Sequence, residues 1–299
     1  MSHGIIYELA MRQWGRMESQ QKFPKAYSFE FFPPKTPESA AKLRAVREQL
    51  ALLKPRYFSV TFGAGGSTQE GTLTTVLDIQ RAGHGAAPHL SCIGSSRDSI
   101  ARILSQYKDN NIRHIVALRG DMPSGMQSTG EFRHANELVA FIRKETGEHF
   151  HIEVAAYPEF HPQASSASAD LLNFKRKVDA GANSAITQYF YNADAYYRFV
   201  DSCERHGCAI PIVPGIMPIN NYMQLARFSD ACGAEIPRWI RKRLEAFGDD
   251  IESIRAFGLD VVTHLCRQLL DQGAPGLHFY TMNQTEPTTT IWKNLDLPM

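Results

Sequence analysis

The chain has 299 residues, 43% of them hydrophobic and 21% charged, and 32 Lys plus Arg against 31 Asp plus Glu leave a formal charge of +1. These values allow a sizeable core and exclude a disordered chain, and the balanced charge gives no electrostatic case for nucleic acid or a membrane surface as partner. There is no apolar run of membrane-spanning length and no signal-peptide core near the start, and the five scattered cysteines form no C-x-x-C pair, so neither a disulfide framework nor a zinc site is expected and the protein reads as cytoplasmic.

Apolar spacing from Ile5 to Trp14 predicts a leading helix. Next comes Tyr27-Ser28-Phe29-Glu30-Phe31-Phe32-Pro33-Pro34, a strand rich in aromatics with a carboxylate at its centre. Either that strand lies at an edge with Glu30 in water, or the carboxylate is held for a purpose. A helix follows over Pro37 to Leu53, with Leu43, Val46, Leu50 and Leu53 on one stripe. The alternation then repeats: a strand over Arg56 to Thr61, a loop over Gly63 to Thr68, a helix to about Arg81, a strand over Ala87 to Cys92 and a helix over Arg97 to Lys108. After it come a strand over His114 to Arg119, a helix over Asn136 to Glu145, a strand over His151 to Tyr157 and a helix over Ser168 to Ala180 that Gly181 closes. The last third reads as a strand over Ser184 to Phe190, a helix over Asp194 to His206 stopped by Gly207, a strand with breakers over Ile210 to Met217 and a helix over Tyr222 to Cys232. One or two helices over Pro237 to Asp271, a final strand over Gly276 to Thr281 and a tail from Pro287 complete the chain.

Eight strands, each followed by helix, predict a single α/β domain over residues 1–299, a (β/α)8 barrel with extra helices before its last strand; an open doubly wound sheet is the alternative. Barrel sites lie at the C-terminal strand ends, and nearly every strand delivers a hydrogen-bonding group there: Glu30, Thr61, His89, Asp121, then Tyr157, Glu159 and His161, Gln188, Asn220 or Asn221, and Tyr280 with Asn283. The histidines lack metal-site spacing, so no metal is expected. Ser67, in Gly65-Gly66-Ser67-Thr68, sits in a turn or in backbone that approaches a ligand. Arg119-Gly120-Asp121 sets a cation beside an acid. Asp170, Asn173 and Lys177 are spaced i, i+3, i+7 on one helical face, which suits the hydroxyls and phosphates of a dinucleotide; the run Lys175-Arg176-Lys177 is otherwise a solvated face.

Taken in order, Ser28 to Lys35, Ala87 to Cys92, Ala117 to Asp121, Ala155 to Glu159 with His161-Pro162, Leu171 to Ala182, Ile186 to Gln188 and Pro214 to Pro218 resemble methylenetetrahydrofolate reductase of the bacterial type. The resemblance implies a flavin-dependent TIM barrel that binds FAD. It implies ping-pong hydride transfer from NADH (or NADPH) to 5,10-methylenetetrahydrofolate, and a homo-oligomer. It makes Glu30 the general acid on N10 of the folate and Asp121 the acid near flavin and pterin. Gln188, Gln224 and Phe228 are implied as substrate contacts along with Thr61, although Phe228 by spacing alone suits the core. Thr61, Phe62, Ala64, His89, Arg119, Gly120, Asp121, Ala135, Tyr157, His161, Ala164, Asp170, Asn173, Arg176 and Lys177 fall at flavin positions. Two departures stand out: Gln69-Glu70-Gly71 where the family often runs Arg-Asp-Arg, and Gln284, a substrate position where relatives can carry Arg. The chain stops just after the barrel, which implies no adenosylmethionine-responsive domain. The competing readings are a flavin-free methyl-transferring pterin barrel, for which a thiol cluster is missing, and a silent folate binder, for which the acids should be lost. With a carboxyl flanked by aromatics, Glu30 is expected to favour its neutral form.

Overall fold

The computed structural model describes residues 17–62, 69–121 and 130–298. The expected helix over Ile5 to Trp14 and the loop with Ala64 and Ser67 lie outside the described residues. A short helix α1 (Glu18–Gln21) leads into β1 (Ala26–Phe31), α2 (Pro37–Ala51), β2 (Tyr57–Val60), α3 (Gln69–Arg81), β3 (Ala86–Ser91) and α4 (Arg97–Asp109). Next come β4 (His114–Leu118), α5 (Ala135–Thr146), β5 (His151–Ala156), α6 (Ala167–Asp179), β6 (Ser184–Thr187) and α7 (Ala193–Arg205). The chain finishes with β7 (Ile212–Val213), β8 (Gly215–Ile216), α8 (Tyr222–Cys232), α9 (Arg238–Phe247), α10 (Ile251–Asp271), β9 (Gly276–Tyr280) and α11 (Thr288–Asn294). The stretch from Pro237 to Asp271 is thus two helices, and the tail is a third.

All strand pairs are parallel, in the order β7-β6-β5-β4-β3-β2-β1-β9-β8. β7 and β8 are the two halves of the strand expected over Ile210 to Met217, parted at Pro214, which has no N–H to give the ladder. The first half pairs with β6 and the second with β9, so one broken strand closes the barrel. At the break the bonds are re-made locally: His278 N donates to Pro214 O at 3.0 Å, and Gly215 N donates to Thr187 Oγ1 at 2.9 Å. The eight-strand barrel therefore holds, and the open sheet does not.

Strand alternation sorts side chains into two environments. On β1, Phe29 and Phe31 are fully buried on the outer side, where Phe29 and Tyr27 meet Trp292 of α11 at ring-centroid distances of 5.9 and 4.9 Å. Each fully buried ring of this kind contributes roughly 1.5–3 kcal/mol. The main core lies here, between sheet and helices. The inner side is different: apart from an apolar layer of Tyr57, Ala87, Val116 and Ile186 it carries serine, histidine and glutamate.

The helices that border the mouth are fixed at their ends. Ser166 Oγ accepts from Ala169 N (3.1 Å) at the start of α6, and Asn221 Oδ1 accepts from Gln224 N (2.9 Å) at the start of α8. Gly233 ends α8 in the left-handed region (φ +76°), and a Cβ there would stand 2.7 Å from Pro162 Cγ in the loop after β5. Among the described residues no helix is long and apolar enough to cross a membrane.

Closure also depends on Gly215, where a Cβ would lie 2.1 Å from Thr187 O and 2.7 Å from Tyr280 Cε2. Gly215→Ala is expected to destabilise the protein by at least about 1–3 kcal/mol, since neither the backbone carbonyl nor the packed ring can yield cheaply. Urea unfolding of the two proteins measures the difference, and an unchanged midpoint would count against this closure.

Candidate active site

Glu30 occupies an inner position of β1, and its neighbours come from strands far away in sequence. Its Oε2 stands 3.4 Å from His89 Nε2 on β3 and 3.4 Å from His278 Nε2 on β9. The His278 ring is fixed from behind by Ser28 Oγ, 2.7 Å from Nδ1. Thr281 Oγ1 donates to the Glu30 carbonyl at 2.6 Å, and Tyr280 O–H donates to Thr187 O at 2.8 Å.

The expectation that Glu30 favours its neutral form is corrected here. The flanking aromatics project to the opposite side of the strand, so they do not surround the carboxyl. Burial does push its pKa up, but the charges of His89 and His278 and the His278 hydrogen bond outweigh it, and the net shift is downward. His89 is in turn lowered by burial, with Glu30 opposing.

Deeper along the barrel axis lies a second carboxylate, Glu153 of β5, only 2% exposed. Tyr57 O–H donates to its Oε2 at 2.5 Å, Ser184 O–H donates to its Oε1 at 3.0 Å, and His114 Nε2 stands 3.2 Å from Oε2. His151 Nε2 is 2.7 Å from Ser184 Oγ, and the His114 and His151 rings meet edge to face at 4.6 Å. Burial raises the Glu153 pKa, but the adjacent His114 and the hydrogen bond from Tyr57 prevail and hold it at about 2. Ser28, Tyr57, His114, Glu153 and His278 were not among the residues expected at the site. Period-two spacing marks them all the same: Ser28 alternates with Glu30, His278 with Tyr280, and Glu153 with His151, between neighbours that face the outer core.

To one side of the mouth, ten of the expected flavin positions line one cleft of about 280 Å³: Arg119, Gly120, Asp121, Ala135, Tyr157, His161, Ala164, Asp170, Asn173 and Lys177. Gly120 has φ +86°, and a Cβ there would fall 1.9 Å from Ser91 Oγ, so only glycine fits between β3 and the cleft. The face of α6 expected from the i, i+3, i+7 spacing does point into the cleft, with Asp170 Oδ2 accepting from His161 N at 3.0 Å and Lys177 Nζ donating to Ala155 O at 2.5 Å. Burial lowers the Lys177 pKa to about 8, with Asp170 opposing. His161 is lowered by burial and then by the Arg119 cation. Arg119 and Lys177 share this wall with Asp121 and Asp170, so it offers both charges to a polar ligand. Tyr157, packed edge to face on His161 at 4.7 Å, is pushed up to about 12 by burial and by Asp121.

Arg176 is not in the cleft; it is exposed and donates to Asn173 Oδ1 at 2.6 Å. Thr61, Phe62 and His89 sit toward the β1–β3 side: Thr61 N donates to Phe31 O at 2.9 Å, and its carbonyl accepts from Thr72 Oγ1 at 2.7 Å. Gln188 lines a small pocket with Tyr157 and Cys232, and its Oε1 accepts from Tyr189 N at 3.0 Å. Phe228 is half-buried, with the Arg227 guanidinium 6.0 Å from its ring centre, so the core is not its place. Gln224 is exposed one turn earlier, and Gln284 Oε1 lies 3.4 Å from Asn220 Nδ2.

Three rim residues turn out to be structural fasteners. Asn283 exchanges two bonds with the Phe32 backbone (2.8 and 3.0 Å), and Asn221 is the cap of α8. Glu159 accepts from Glu235 N at 2.8 Å, and burial pushes its pKa up to about 7. Among the described residues no group of three or more His, Cys, Asp or Glu could hold a metal ion.

A closed (β/α)8 barrel with an acid–imidazole cluster in its mouth and a polar, charged cleft alongside defines an enzyme of the barrel class. The family model described as methylenetetrahydrofolate reductase matches residues 16–296, and the chain belongs to that family. It is 44% identical over 269 residues to the 5,10-methylenetetrahydrofolate reductase of Salmonella typhimurium, covering 90% of each chain. A maize protein named methylenetetrahydrofolate reductase (NADH) 1 is 39% identical over 286 residues, 91% of this chain and 48% of that one. Among solved structures, an uncharacterized Clostridium thermocellum protein that binds two copies of 5-methyl-5,6,7,8-tetrahydrofolic acid superposes with a TM-score of 0.63 at 14% identity, covering 98% of this chain and 97% of that one, a likeness of fold.

The Glu153 cluster should show in acid unfolding. Its folded pKa of about 2 lies below the ordinary 4.5, so its contribution is present above about pH 4.5 and is lost as pH falls toward 2. Glu153→Gln is expected to lower the melting temperature at pH 7 and to flatten the stability profile over that acid window. Parallel profiles for the two proteins would exclude the pairing.

Proposed function

We propose that this chain reduces 5,10-methylenetetrahydrofolate to 5-methyltetrahydrofolate with hydride from a reduced nicotinamide nucleotide, using FAD. The observation that carries the reading is Glu30, a carboxyl set in the barrel mouth against two imidazoles, within a chain of this family. The name of the maize relative favours NADH over NADPH.

The cleft beside the mouth fits the flavin nucleotide: Arg119 and Lys177 supply cations for its phosphates, Asp170 and Asn173 supply acceptors and donors for its hydroxyls, and Gly120 admits close backbone approach. When bound, FAD supplies the redox chemistry that links nucleotide and folate. The residues of the chain handle the proton. Opening the imidazolidine ring of the folate needs a proton on N10, and Glu30 delivers it. Glu30 and His89 act on each other's charge, each opposing the other's burial shift. A folate over the mouth also expels water, and that strengthens the burial effect, the one influence raising the Glu30 pKa. Asp121, at the end of β4, places negative charge where the ring-opened folate carries its cationic iminium. Gln188, Gln224, Phe228 and Gln284 lie around the mouth as substrate contacts.

The direct test is colour: purified protein with FAD should be yellow, and a protein that takes up no flavin overturns the reading. Glu30→Gln is expected to leave reduction of the flavin by NADH nearly unchanged while slowing folate reduction by roughly 10²–10⁴-fold. Equal loss in both half-reactions, measured by rapid mixing, would remove Glu30 as the acid. Lys177→Met should weaken FAD binding at least about tenfold, as a charge-assisted contact to phosphate is lost; equilibrium dialysis checks this.

A further inference from the structure

The helix α8 carries two of the proposed substrate contacts, Gln224 and Phe228, yet it is lightly packed: only Leu225 and Ser229 are buried, and Met223 is 75% exposed. What fixes its far end comes from other elements. Tyr189, just after β6, meets Ser229 through its hydroxyl at 3.0 Å. Pro162 closes on Gly233, and Glu159 accepts from Glu235 N at 2.8 Å. Glu159 and Pro162 belong to the loop after β5, whose Tyr157 and His161 line the cleft beside the mouth. Gln188, a third proposed contact, lies in the narrow crevice between this loop and α8, lined by Tyr157, Glu159, Cys232 and Gly233.

We propose that, within the reductase reading above, on which this inference rests, Glu159 is a positioning residue: it docks the end of α8 onto the loop after β5 and so sets the affinity of the mouth for the folate. The turn that presents its carboxylate is held in a costly shape. Phe160 N donates to Tyr157 O at 3.2 Å, and Phe160 itself sits at φ +70°, in the left-handed region that a bulky side chain avoids. Such a conformation persists where the surroundings over-determine it. Here the Glu159–Glu235 bond and the Pro162–Gly233 contact stand on either side of it. One joint therefore ties the wall of the cleft to the helix that reaches over the substrates, with Gln188 beneath it.

Docking makes this joint sensitive to pH. Burial pushes the Glu159 carboxyl up to about 7 from an ordinary 4.5; the bond from Glu235 N opposes the rise, the Glu235 carboxylate adds to it, and the Arg198 cation of α7 opposes it again. Tyr157, Tyr189 and Cys232 also face the crevice, and burial raises both tyrosines, so neither changes charge near neutral pH. Undocking returns Glu159 to water and to its ordinary pKa. Linkage then fixes the sign: the docked joint is favoured while Glu159 is neutral, an advantage fully present below about pH 4.5 and lost as pH rises through about 7.

The test uses the FAD-loaded enzyme and 5-methyltetrahydrofolate, with binding measured by calorimetry at pH 6 and pH 8 for the wild type, Glu159→Gln and Glu159→Ala. Glu159→Gln keeps an acceptor for Glu235 N and cannot ionise, so its affinity is expected to match the wild type at pH 6 and to exceed it by roughly three- to tenfold at pH 8. Glu159→Ala removes the acceptor and should weaken binding at pH 6 by roughly three- to tenfold, raising the folate KM with kcat near the wild-type value. Hydrogen exchange at the Glu235 amide should quicken in Glu159→Ala and stay at the wild-type rate in Glu159→Gln at pH 6. An affinity ratio between Glu159→Gln and wild type that is the same at both pH values overturns the proposal, because a carboxylate with a merely structural role leaves that ratio flat. If the wild type binds no 5-methyltetrahydrofolate, the reductase reading fails and takes this proposal with it; wild-type binding together with unaltered Glu235 exchange in Glu159→Ala overturns the proposal alone.

Discussion

A carboxylate inside a closed barrel cannot be left alone, and this constraint organises the interior of the molecule. Desolvating an unpaired charge costs far more than a domain can absorb. Glu30 and Glu153 are therefore each met by imidazoles, and Glu153 by two hydroxyls as well. The partners come from β2, β3, β4, β6 and β9, so each pair works only if the strands hold their register. Glu30 pairs with Ser59 on one side and Tyr280 on the other, and a slip of one residue would turn every inner side chain outward. The polar interior and the strand register thus depend on each other, and the broken strand at Pro214 lets the ring close without disturbing either.

The mouth and the cleft are built from different materials. Glu30, His89 and His278 sit on strands packed against the main outer core, so their positions are fixed by the sheet. The cleft is assembled from the end of β4, the loop after β5 and one face of α6, where Phe174, Leu171 and Val178 pack on the core and Asp170, Asn173 and Lys177 are left for polar contacts. Such a wall suits recognition of an extended, charged ligand. Asp121 stands where the two regions join.

Some of the site was legible in the chain. Glu30 is conspicuous among aromatics, Gly120 between a cation and an acid, and Asp170, Asn173 and Lys177 by helical spacing. Other readings failed for identifiable reasons. The aromatics beside Glu30 in sequence are on the far side of the strand in space, so the inferred direction of its pKa shift was reversed by histidines invisible from local context. Asn221, Glu159 and Asn283 have the right chemistry and the right position, yet their polar atoms bond to backbone. His278, Ser28, Tyr57 and Glu153 lie below the rim, away from the strand ends, and only their alternation with apolar neighbours marks them in the sequence.

The order of strands and helices, the eightfold count and the parallel sheet were determined by the sequence alone, because apolar periodicity and breakers act over a few neighbouring residues. The partners of the two buried carboxylates were decided only by the tertiary structure. Glu30 and His278 are separated by almost the whole chain, and they meet because β1 and β9 are neighbours in a closed ring. No local pattern encodes that contact. It follows from closure, from register and from the need of a buried carboxylate for partners.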